Sequence, residues 1–362
     1  MTRSRARAPV RADPAGGGTD APPFSVEQGG RVVNFAIQRH ACASVDRLPA
    51  GSGVIIYSED LGEGIVEPSV TALPGRGRLE FLQAFVHRLV PACESILLAT
   101  ESDVPAGAGL GGSGAVGVAV VAALDRVFGR ERSREETAAV ANDIERTDLG
   151  YPGGNQDSYA AALGGIHNLE YVKGGGTKPH RLEVSGDVRL ALERNSLLIY
   201  TSEAHVSGNI HRDIRESYTR ESSPTVAAMI RLRESAKVLA AALERGDLTA
   251  YADAMSESCR ALYDLHPSCD SEAHRRCFLE LGDLILGGKT CGAGGGGFLL
   301  VYARPGRRRE CRVRAERLGC MVWPVVIDFE GVRSWVEPAL PLEEVERYRL
   351  LVKKTAFEKA SD

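Results

Sequence analysis

Apolar residues follow two kinds of spacing along this chain, and each kind predicts a different element. The longest helical repeat begins after Ser223-Pro224, steps by three and four positions, and ends at Gly246. Its apolar members are Met229, Leu232, Ala236, Leu239 and Leu243. Short runs rich in β-branched and aromatic residues instead predict strands at 31–39, 54–57, 94–100, 196–201 and 321–328. Because the two patterns alternate, we expect a mixed α and β fold.

Further helices are indicated by their start signals and by their spacing. Ser133 and Glu136 form a capping-box pair, which predicts a helix from there to about Asp148. Residues 1–9 show no such pattern, and we expect them to form a loose tail. Helical spacing also covers 79–90, 247–264, 270–286, 342–360 and the basic stretch 307–317, which fits a solvated helix face.

One glycine-rich stretch runs directly into an apolar helix. Residues 103–124 have the sequence DVPAGAGLGGSGAVGVAVVAAL, in which the glycines precede a run rich in Ala and Val. Glycines let backbone N–H groups approach an anion, and a helix start adds unpaired donors and a positive dipole end. The stretch therefore fits a phosphate-binding loop, with Ser113 placed to reach a nucleotide-bound Mg²⁺. A glycine turn before a buried helix is the alternative.

Two familiar phosphate-binding motifs do not fit this stretch. A Walker A loop needs a lysine after its last glycine, and none follows Gly114. The G-x-G-x-x-G fingerprint of dinucleotide-binding folds begins at Gly107, but no acidic residue is clearly placed about 20 residues later at the end of a second strand. We therefore expect a different phosphate-binding architecture.

Composition narrows the class of protein. The chain has 362 residues, enough for one large or two ordinary domains, and its net charge of −4 favours neither nucleic acid nor a membrane surface as a partner. No apolar run is long enough for a membrane helix, and the basic start lacks the apolar core of a signal peptide. The 8 cysteines are scattered without a C-x-x-C pair. We therefore expect a cytoplasmic protein with reduced thiols.

Three more glycine-rich segments accompany the central loop. They are AGGGTD at 15–20, GGNQDSYAAALGG at 153–165 and KTCGAGGGGFLLVYA at 289–303. In this order the motifs resemble the GHMP kinases, the family of galactokinase, homoserine kinase and mevalonate kinase. Within the family they are most similar to the heptose-7-phosphate kinase and fucokinase branch. The family pattern P-x-x-x-G-L-G-S-S is matched by Pro105, Gly109, Leu110, Gly111 and Ser113, with Gly112 replacing the first serine.

The resemblance implies an α+β fold with two lobes. The N-terminal lobe, residues 10–195, would be similar to a ribosomal protein S5-like domain and would bind ATP. The C-terminal lobe, residues 196–362, would be ferredoxin-like. The acceptor would then bind in the cleft between the lobes. No repeat and no low-complexity linker divides the sequence.

The resemblance also assigns residues to the nucleotide and its metal ion. Mg²⁺ would be held by Ser113 and Glu145, because a hydroxyl and a carboxylate suit this cation. Without the resemblance, a solvated helix residue would be the favoured interpretation of Glu145. The residues expected to hold the phosphates of ATP are Pro105, Gly107, Gly109, Leu110, Gly111, Gly112 and Ser113.

Two residues are assigned by the resemblance to the transfer step. Asp157 would accept or orient the proton of the acceptor hydroxyl. Arg11 would stabilise the charge that develops on the transferred phosphate. Asp157 also fits a cap for the Ala-rich helix that it begins, and Arg11 would otherwise be a tail arginine.

The resemblance builds the acceptor site from the other glycine-rich segments. The chain departs from the branch at Pro14, and at His205 it has a histidine where the branch has an arginine. If the acceptor already carries a phosphate, the candidates to bind it are His205, Lys289 and Arg212. The residues expected to bind the acceptor are Gly17, Gly18, Thr19, Asp20, Gly153, Gly154, Asn155, Gln156, His205, Gly294 and Gly295.

The function implied is that of an ATP- and Mg²⁺-dependent sugar kinase, a phosphotransferase with an alcohol group as acceptor. The first choice of acceptor is the anomeric hydroxyl of a heptose 7-phosphate, which would give the 1,7-bisphosphate. A cyclitol phosphate or a deoxysugar is the alternative acceptor. The alternative class is a catalytically silent homologue that binds sugar or nucleotide. The sequence leaves open whether the chain forms a homodimer.

Overall fold

The computed structural model describes residues 2–201, 207–220 and 223–359. The strands are β1 (Arg3–Ala15), β2 (Gly30–Arg47), β3 (Val54–Ser58), β4 (Glu63–Glu67), β5 (Ile96–Ser102), β6 (Ile166–Tyr171), β7 (Thr177–Arg181), β8 (Ser196–Tyr200), β9 (Ile285–Thr290), β10 (Phe298–Ala303), β11 (Met321–Pro324) and β12 (Arg333–Glu337). The helices are α1 (Phe24–Gln28), α2 (Glu80–Leu89), α3 (Gly112–Phe128), α4 (Arg134–Asp143), α5 (Gln156–Leu163), α6 (Gly186–Asn195), α7 (Ser207–Thr219), α8 (Ser223–Arg245), α9 (Leu248–Tyr263), α10 (Glu272–Leu281), α11 (Arg308–Arg317) and α12 (Leu342–Lys359).

The strands form two sheets, which confirms the predicted α+β class. The first sheet has the order β12-β1-β2-β5-β3-β4, and β6 and β7 extend it from β2. Its pairs are antiparallel except for β3 with β5. The second sheet has the order β11-β8-β10-β9 and is antiparallel throughout. The helical repeat predicted at 223–246 is confirmed as α8.

The prediction of a loose tail at residues 1–9 is wrong, because β1 is a buried strand between β2 and β12. Small residues alternate with arginines here, and Ser4, Ala6 and Ala8 are the buried members. The arginines between them form ion pairs, such as Arg5 with Glu101 at 3.4 Å. Arginine and alanine are weak strand formers, so only the pairing partners reveal this alternation as a strand.

Helix α3 lies at the centre of the first core. It packs on β1 and β2, and its side chains with no exposed surface are almost all Ala or Val. The Ser4 hydroxyl of β1 donates to the Ala123 carbonyl at 2.7 Å, so strand and helix meet closely. The absence of a side chain at Gly117 makes room for the Phe85 ring. Because the residues are small, the start of α3 is held firmly beside β1.

The C-terminal segment returns to the first sheet. Strand β12 pairs with β1, and Val345 of α12 packs with Leu48, Ile55 and Leu97. The first sheet therefore contains residues from both ends of the chain. The lobe boundary between residues 195 and 196 stays a prediction.

Two sequence expectations concern the thiols and the helices. All eight cysteines are free thiols, as expected. Among the residues that the structure describes, no helix combines the length and apolarity needed to cross a bilayer.

Replacing Gly114 by alanine should destabilise the fold by about 1–3 kcal/mol, because the added methyl overpacks the contact between α3 and α5. A Cβ at Gly114 would lie 2.6 Å from the Asp157 Cβ and 3.0 Å from the Ser158 backbone nitrogen. The matched control is Gly112→Ala, where nothing lies within 4 Å of the new Cβ. Urea unfolding followed by circular dichroism measures both variants, and equal effects would contradict this packing.

Candidate active site

The central glycine loop turns left-handed before it becomes α3. Gly107, Gly109 and Gly111 have φ values of 72°, 82° and 71°, which L side chains rarely adopt. Gly111 is the N-cap of α3, and no side chain caps the helix. The first N–H groups of a long helix thus lack a side-chain acceptor, as a phosphate site requires. Of the other predicted loop residues, Leu110 is buried, whereas Pro105 and Gly107 are exposed.

Arg11 and Asp157 form an ion pair beside this loop. The Arg11 Nε and Nη2 atoms both donate to the Asp157 Oδ1, at 2.8 and 2.7 Å. Arg11 also donates to the Gly109 carbonyl, and its backbone N–H donates to the Leu110 carbonyl at 3.0 Å. Burial opposes the charge of Arg11, but the carboxylates of Asp157 and Asp13 outweigh it and raise the pKa of the guanidinium. Arg11 is therefore a buried, permanently charged residue of the site, not a tail arginine.

Asp157 is also not the helix cap that its position suggested. Asn155 is the N-cap residue of α5, and Asp157 is the second residue of the helix. The side chain of Asp157 is 28% exposed and binds Arg11. Gly111 and Gly114 lie against it, because a Cβ at either position would come within 3 Å of its side chain. Because these two glycines have no side chains, the Asp157 carboxylate can lie at the mouth of the loop.

Glu145 is buried next to Ser113. It lies in a π-helical turn, Ile144–Asp148, which follows α4 directly; such turns occur often at functional sites. Burial and the nearby Asp157 raise the pKa of Glu145 to about 8, and a hydrogen bond with the Ser113 side chain lowers it in part. The structure therefore brings together three predicted site residues, and the solvated alternative for Glu145 is wrong.

The oxygen atoms of Ser113 and Glu145 fit a bound Mg²⁺. Their side chains are hydrogen-bonded to each other, so a hydroxyl oxygen and a carboxylate lie side by side. Among the described residues, no group of three or more His, Cys, Asp or Glu could hold a metal ion. Mg²⁺ needs no such cage, because it commonly binds one or two protein oxygens together with phosphate oxygens and water.

Asp20 joins the first glycine-rich segment to α5. Its Oδ1 accepts from the Gly18 N–H at 3.1 Å, and its Oδ2 accepts from the Gln156 N–H at 3.2 Å. A Cβ at Gly154 would collide with the Asp20 carboxylate, so glycine is required there. Burial, followed by the charge of Asp157, raises the pKa of Asp20 to about 6.

The other predicted acceptor residues differ in what they contact. Thr19 is fully buried, and its hydroxyl donates to the Gly16 carbonyl at 2.8 Å, so it shapes the loop. Asn155 donates to the Thr177 hydroxyl at 2.9 Å. The Gly295 N–H donates to the Cys269 carbonyl at 2.7 Å, and Gly294 packs on the same carbonyl. His205 lies outside the described residues.

The third glycine-rich segment packs directly on the central loop. A Cβ at Gly109 would lie 2.7 Å from the Cys291 carbonyl oxygen. The Phe298 N–H donates to the Ala108 carbonyl at 3.0 Å. Glycines in both loops therefore allow backbone to pack on backbone, and the second sheet contributes directly to the site.

A buried ion pair that the sequence analysis missed holds these loops. The Lys289 Nζ donates to the Asp13 Oδ2 at 3.1 Å and to the Thr290 carbonyl at 2.7 Å, and both charged side chains are fully buried. The other Asp13 oxygen accepts from the Gly292 N–H at 2.9 Å. The prediction that Lys289 could bind a substrate phosphate is wrong, because it has no exposed surface. The sequence did carry a signal for this pair, because Asp13 shortly precedes the glycine-rich segment 15–20 and Lys289 begins the segment 289–303.

Known proteins are similar to this chain in sequence and in fold. Residues 79–165 match the family model described as the GHMP kinases N terminal domain. The chain is 28% identical over 340 residues to the D-glycero-alpha-D-manno-heptose 7-phosphate kinase of Campylobacter jejuni, covering 92% of this chain and 99% of that protein. It is 24% identical to the crystal structure of a D-glycero-D-manno-heptose 1-phosphate kinase from Bacteroides thetaiotaomicron, with a TM-score of 0.77, covering 93% and 100% of the two chains.

A second relative is much longer than this chain. The bifunctional fucokinase/GDP-fucose pyrophosphorylase of Arabidopsis thaliana is 28% identical over 338 residues, which are 87% of this chain but 31% of that protein. Together these similarities confirm the predicted resemblance, the α+β fold of the family and the prediction of a kinase.

Replacing Lys289 by methionine should cost about 3–5 kcal/mol of folding free energy, because the Asp13 carboxylate would be left buried without its partner. Thermal and urea unfolding measure the loss against Lys178→Met, an exposed lysine of β7. The double variant Asp13→Asn with Lys289→Met removes both charges and should recover part of the loss. Equal stability of the Lys289 and Lys178 variants would contradict the buried pair.

The raised pKa of Glu145 predicts a pH-dependent stability. Between pH 4.5 and about 8 the folded chain keeps a proton on Glu145 that the unfolded chain has released. The unfolding free energy should therefore fall as pH rises through this window. Glu145→Gln lacks this proton release, so its stability relative to wild type should increase with pH. Urea unfolding without nucleotide or metal measures this, with the exposed Glu135→Gln as control. A constant difference across the window would contradict burial of Glu145.

Proposed function

We propose that this chain, a member of the GHMP kinases by sequence and fold, transfers the γ-phosphoryl group of ATP to a hydroxyl of a sugar phosphate. The first choice is the anomeric hydroxyl of a heptose 7-phosphate, which would give the 1,7-bisphosphate. The observation that carries the proposal is the Arg11–Asp157 ion pair at the mouth of an uncapped glycine loop. The choice of acceptor is supported by the relative from Campylobacter jejuni, which matches along nearly its whole length.

The glycine loop and the start of α3 bind the phosphates of ATP. The open N–H groups and the positive end of the helix dipole favour the negative charge there. Ser113 and Glu145 would hold Mg²⁺, which would neutralise phosphate charge. Because Glu145 must lose its proton to bind a cation, nucleotide and metal should bind together with proton release.

Asp157 and Arg11 act on the transfer itself. The Asp157 carboxylate accepts a hydrogen bond from the acceptor hydroxyl and takes its proton as the phosphoryl group arrives. Arg11 is held by Asp157 and by the Gly109 carbonyl, so its charge points to the loop mouth. A fixed positive charge there stabilises the oxygens of the transferred group without reorganisation.

The acceptor binds beside Asp157, along the Asp20 loop. The Gln156 N–H links the two carboxylates structurally, because it donates to Asp20 and precedes Asp157 in α5. Gly18, where an added Cβ would meet Leu265 at 3.9 Å, allows close approach of a polyhydroxylated ring, and the Asp20 carboxylate can accept from its hydroxyls. Gly17 instead makes room for the Asp13 carboxylate. Gly153 has open space beside it.

The observations bear differently on two alternative functions. The fucokinase relatives favour an unphosphorylated deoxysugar as acceptor. A silent homologue is disfavoured, because Arg11, Ser113, Glu145 and Asp157 are all present and in one cluster. The free thiols fit a reducing compartment such as the cytoplasm.

A kinase assay against heptose 7-phosphate, free heptose, fucose and a cyclitol phosphate tests the proposal. Heptose 7-phosphate should give the highest kcat/KM, and Asp157→Asn should lose about 10²–10⁴-fold in kcat while it keeps its affinity for ATP. Asp187→Asn, at an exposed position of α6, is the matched control. A higher kcat/KM for fucose would favour the deoxysugar alternative, and no turnover of any acceptor would favour the silent homologue.

A further inference from the structure

A cavity of about 860 Å³ opens beside the acceptor loop. Its walls come from the segment around α1, from the turn after α4 and from α7, and they include Pro22, Glu27, Arg146, Pro152, Arg215 and Tyr218. A smaller hollow shares Pro22, Pro152 and Arg215 with it and reaches Gly18. The cavity therefore continues from the loop that holds Asp20, and its size suits a small polar ligand.

The cavity carries two arginines without carboxylate partners. Arg146 and Arg215 are both exposed, and neither forms an ion pair with any residue in the described ranges 2–201, 207–220 and 223–359. The acidic residue in the wall, Glu27, accepts from the Tyr218 hydroxyl at 2.8 Å. Asp143 and Asp148, which flank Arg146 in sequence, both pair with Arg88. The two guanidinium groups are thus left to an external anion.

We propose that Arg146 and Arg215 bind the phosphate that the acceptor carries before the reaction. This inference rests on the proposed function, because it places the acceptor between Asp157 and the cavity. Gln156 and Asp20 connect Asp157 to Gly18 through hydrogen bonds, and Gly18 borders the smaller hollow. A sugar with its reacting hydroxyl at Asp157 extends along this path, so that its far end enters the cavity. Arginine suits that end, because its planar donors match phosphate oxygens in pairs.

The π-helical turn Ile144–Asp148 places two neighbouring residues at different parts of the proposed site. Glu145 points into the metal site and is buried, whereas the next residue, Arg146, is exposed in the cavity wall. One turn would therefore contribute both to the donor phosphates and to the acceptor phosphate. The spacing of the two ends is fixed by adjacent residues, so the site selects acceptors by the distance between hydroxyl and phosphate.

Two of the candidates drawn from motif position, Lys289 and Arg212, fit this role less well. Lys289 is buried in its ion pair with Asp13. Arg212 is exposed on α7 but lies outside the cavity wall. It is therefore a matched control on the same helix as Arg215.

The test compares Arg146→Ala, Arg215→Ala, the double variant and Arg212→Ala. With heptose 7-phosphate, each single variant should raise KM about 10- to 100-fold, because one hydrogen-bonded charge is lost. The double variant should raise it further. The KM for ATP and the kcat/KM for free heptose should stay at the wild-type values, and Arg212→Ala should behave as wild type. Equal losses with phosphorylated and free heptose, or no loss with either, would overturn the assignment.

A binding experiment separates failure of this assignment from failure of the proposed function. Inorganic phosphate is titrated into the nucleotide-free protein and followed by calorimetry and by ³¹P NMR. Wild type and Arg212→Ala should bind it more tightly than the double variant. If no sugar is turned over but this difference is seen, the proposed function fails and the anion site stands. If the double variant binds phosphate as wild type does, the anion site is rejected whatever the kinetics show.

Discussion

The candidate site depends on one buried ion pair, between Asp13 of β1 and Lys289 of β9. It joins the two sheets at residues 276 positions apart, at a point with no access to water. The second Asp13 oxygen holds the Gly292 N–H, and the same carboxylate lies 3.6 Å from Arg11. One carboxylate therefore fixes the third glycine-rich segment and helps to hold the charge of the arginine that binds Asp157.

Such a pair is expensive to bury, since desolvation of two charges offsets most of their attraction. An apolar pair would hold the sheets together equally well, but it could not bind a backbone N–H or face a guanidinium. We interpret the role of the pair as positioning, because it holds Arg11 of β1 and the third glycine-rich segment next to each other. The central loop then packs on both, because its glycines leave room for the Cys291 carbonyl.

Near this ion pair, the acidic side chains of the site outnumber the cationic side chains that pair with them. Burial and the charge of Asp157 raise the pKa of both Glu145 and Asp20, while the charge of Arg11 is taken up by Asp157 and Asp13. A cation bound at Glu145 would take the place of its proton, and the Asp20 carboxylate can accept hydrogen bonds from hydroxyl donors. Arg146 and Arg215, which form no ion pair with the described part of the chain, lie on the cavity side. In the proposed function, the metal ion would bind at one end of the site and the phosphate of the acceptor at the other.

The sequence by itself determined the elements that depend on local signals: the capping box of α4, the repeat of α8, and the glycine loop that opens α3. Glycine spacing also located Arg11, Ser113, Glu145 and Asp157 through the family resemblance. Only the tertiary structure decided that β1 is a buried strand, that Lys289 is fully buried, and that Arg146 and Arg215 line the same cavity. The reason is physical: burial and ion pairing depend on partners far away in the chain, which local spacing does not contain.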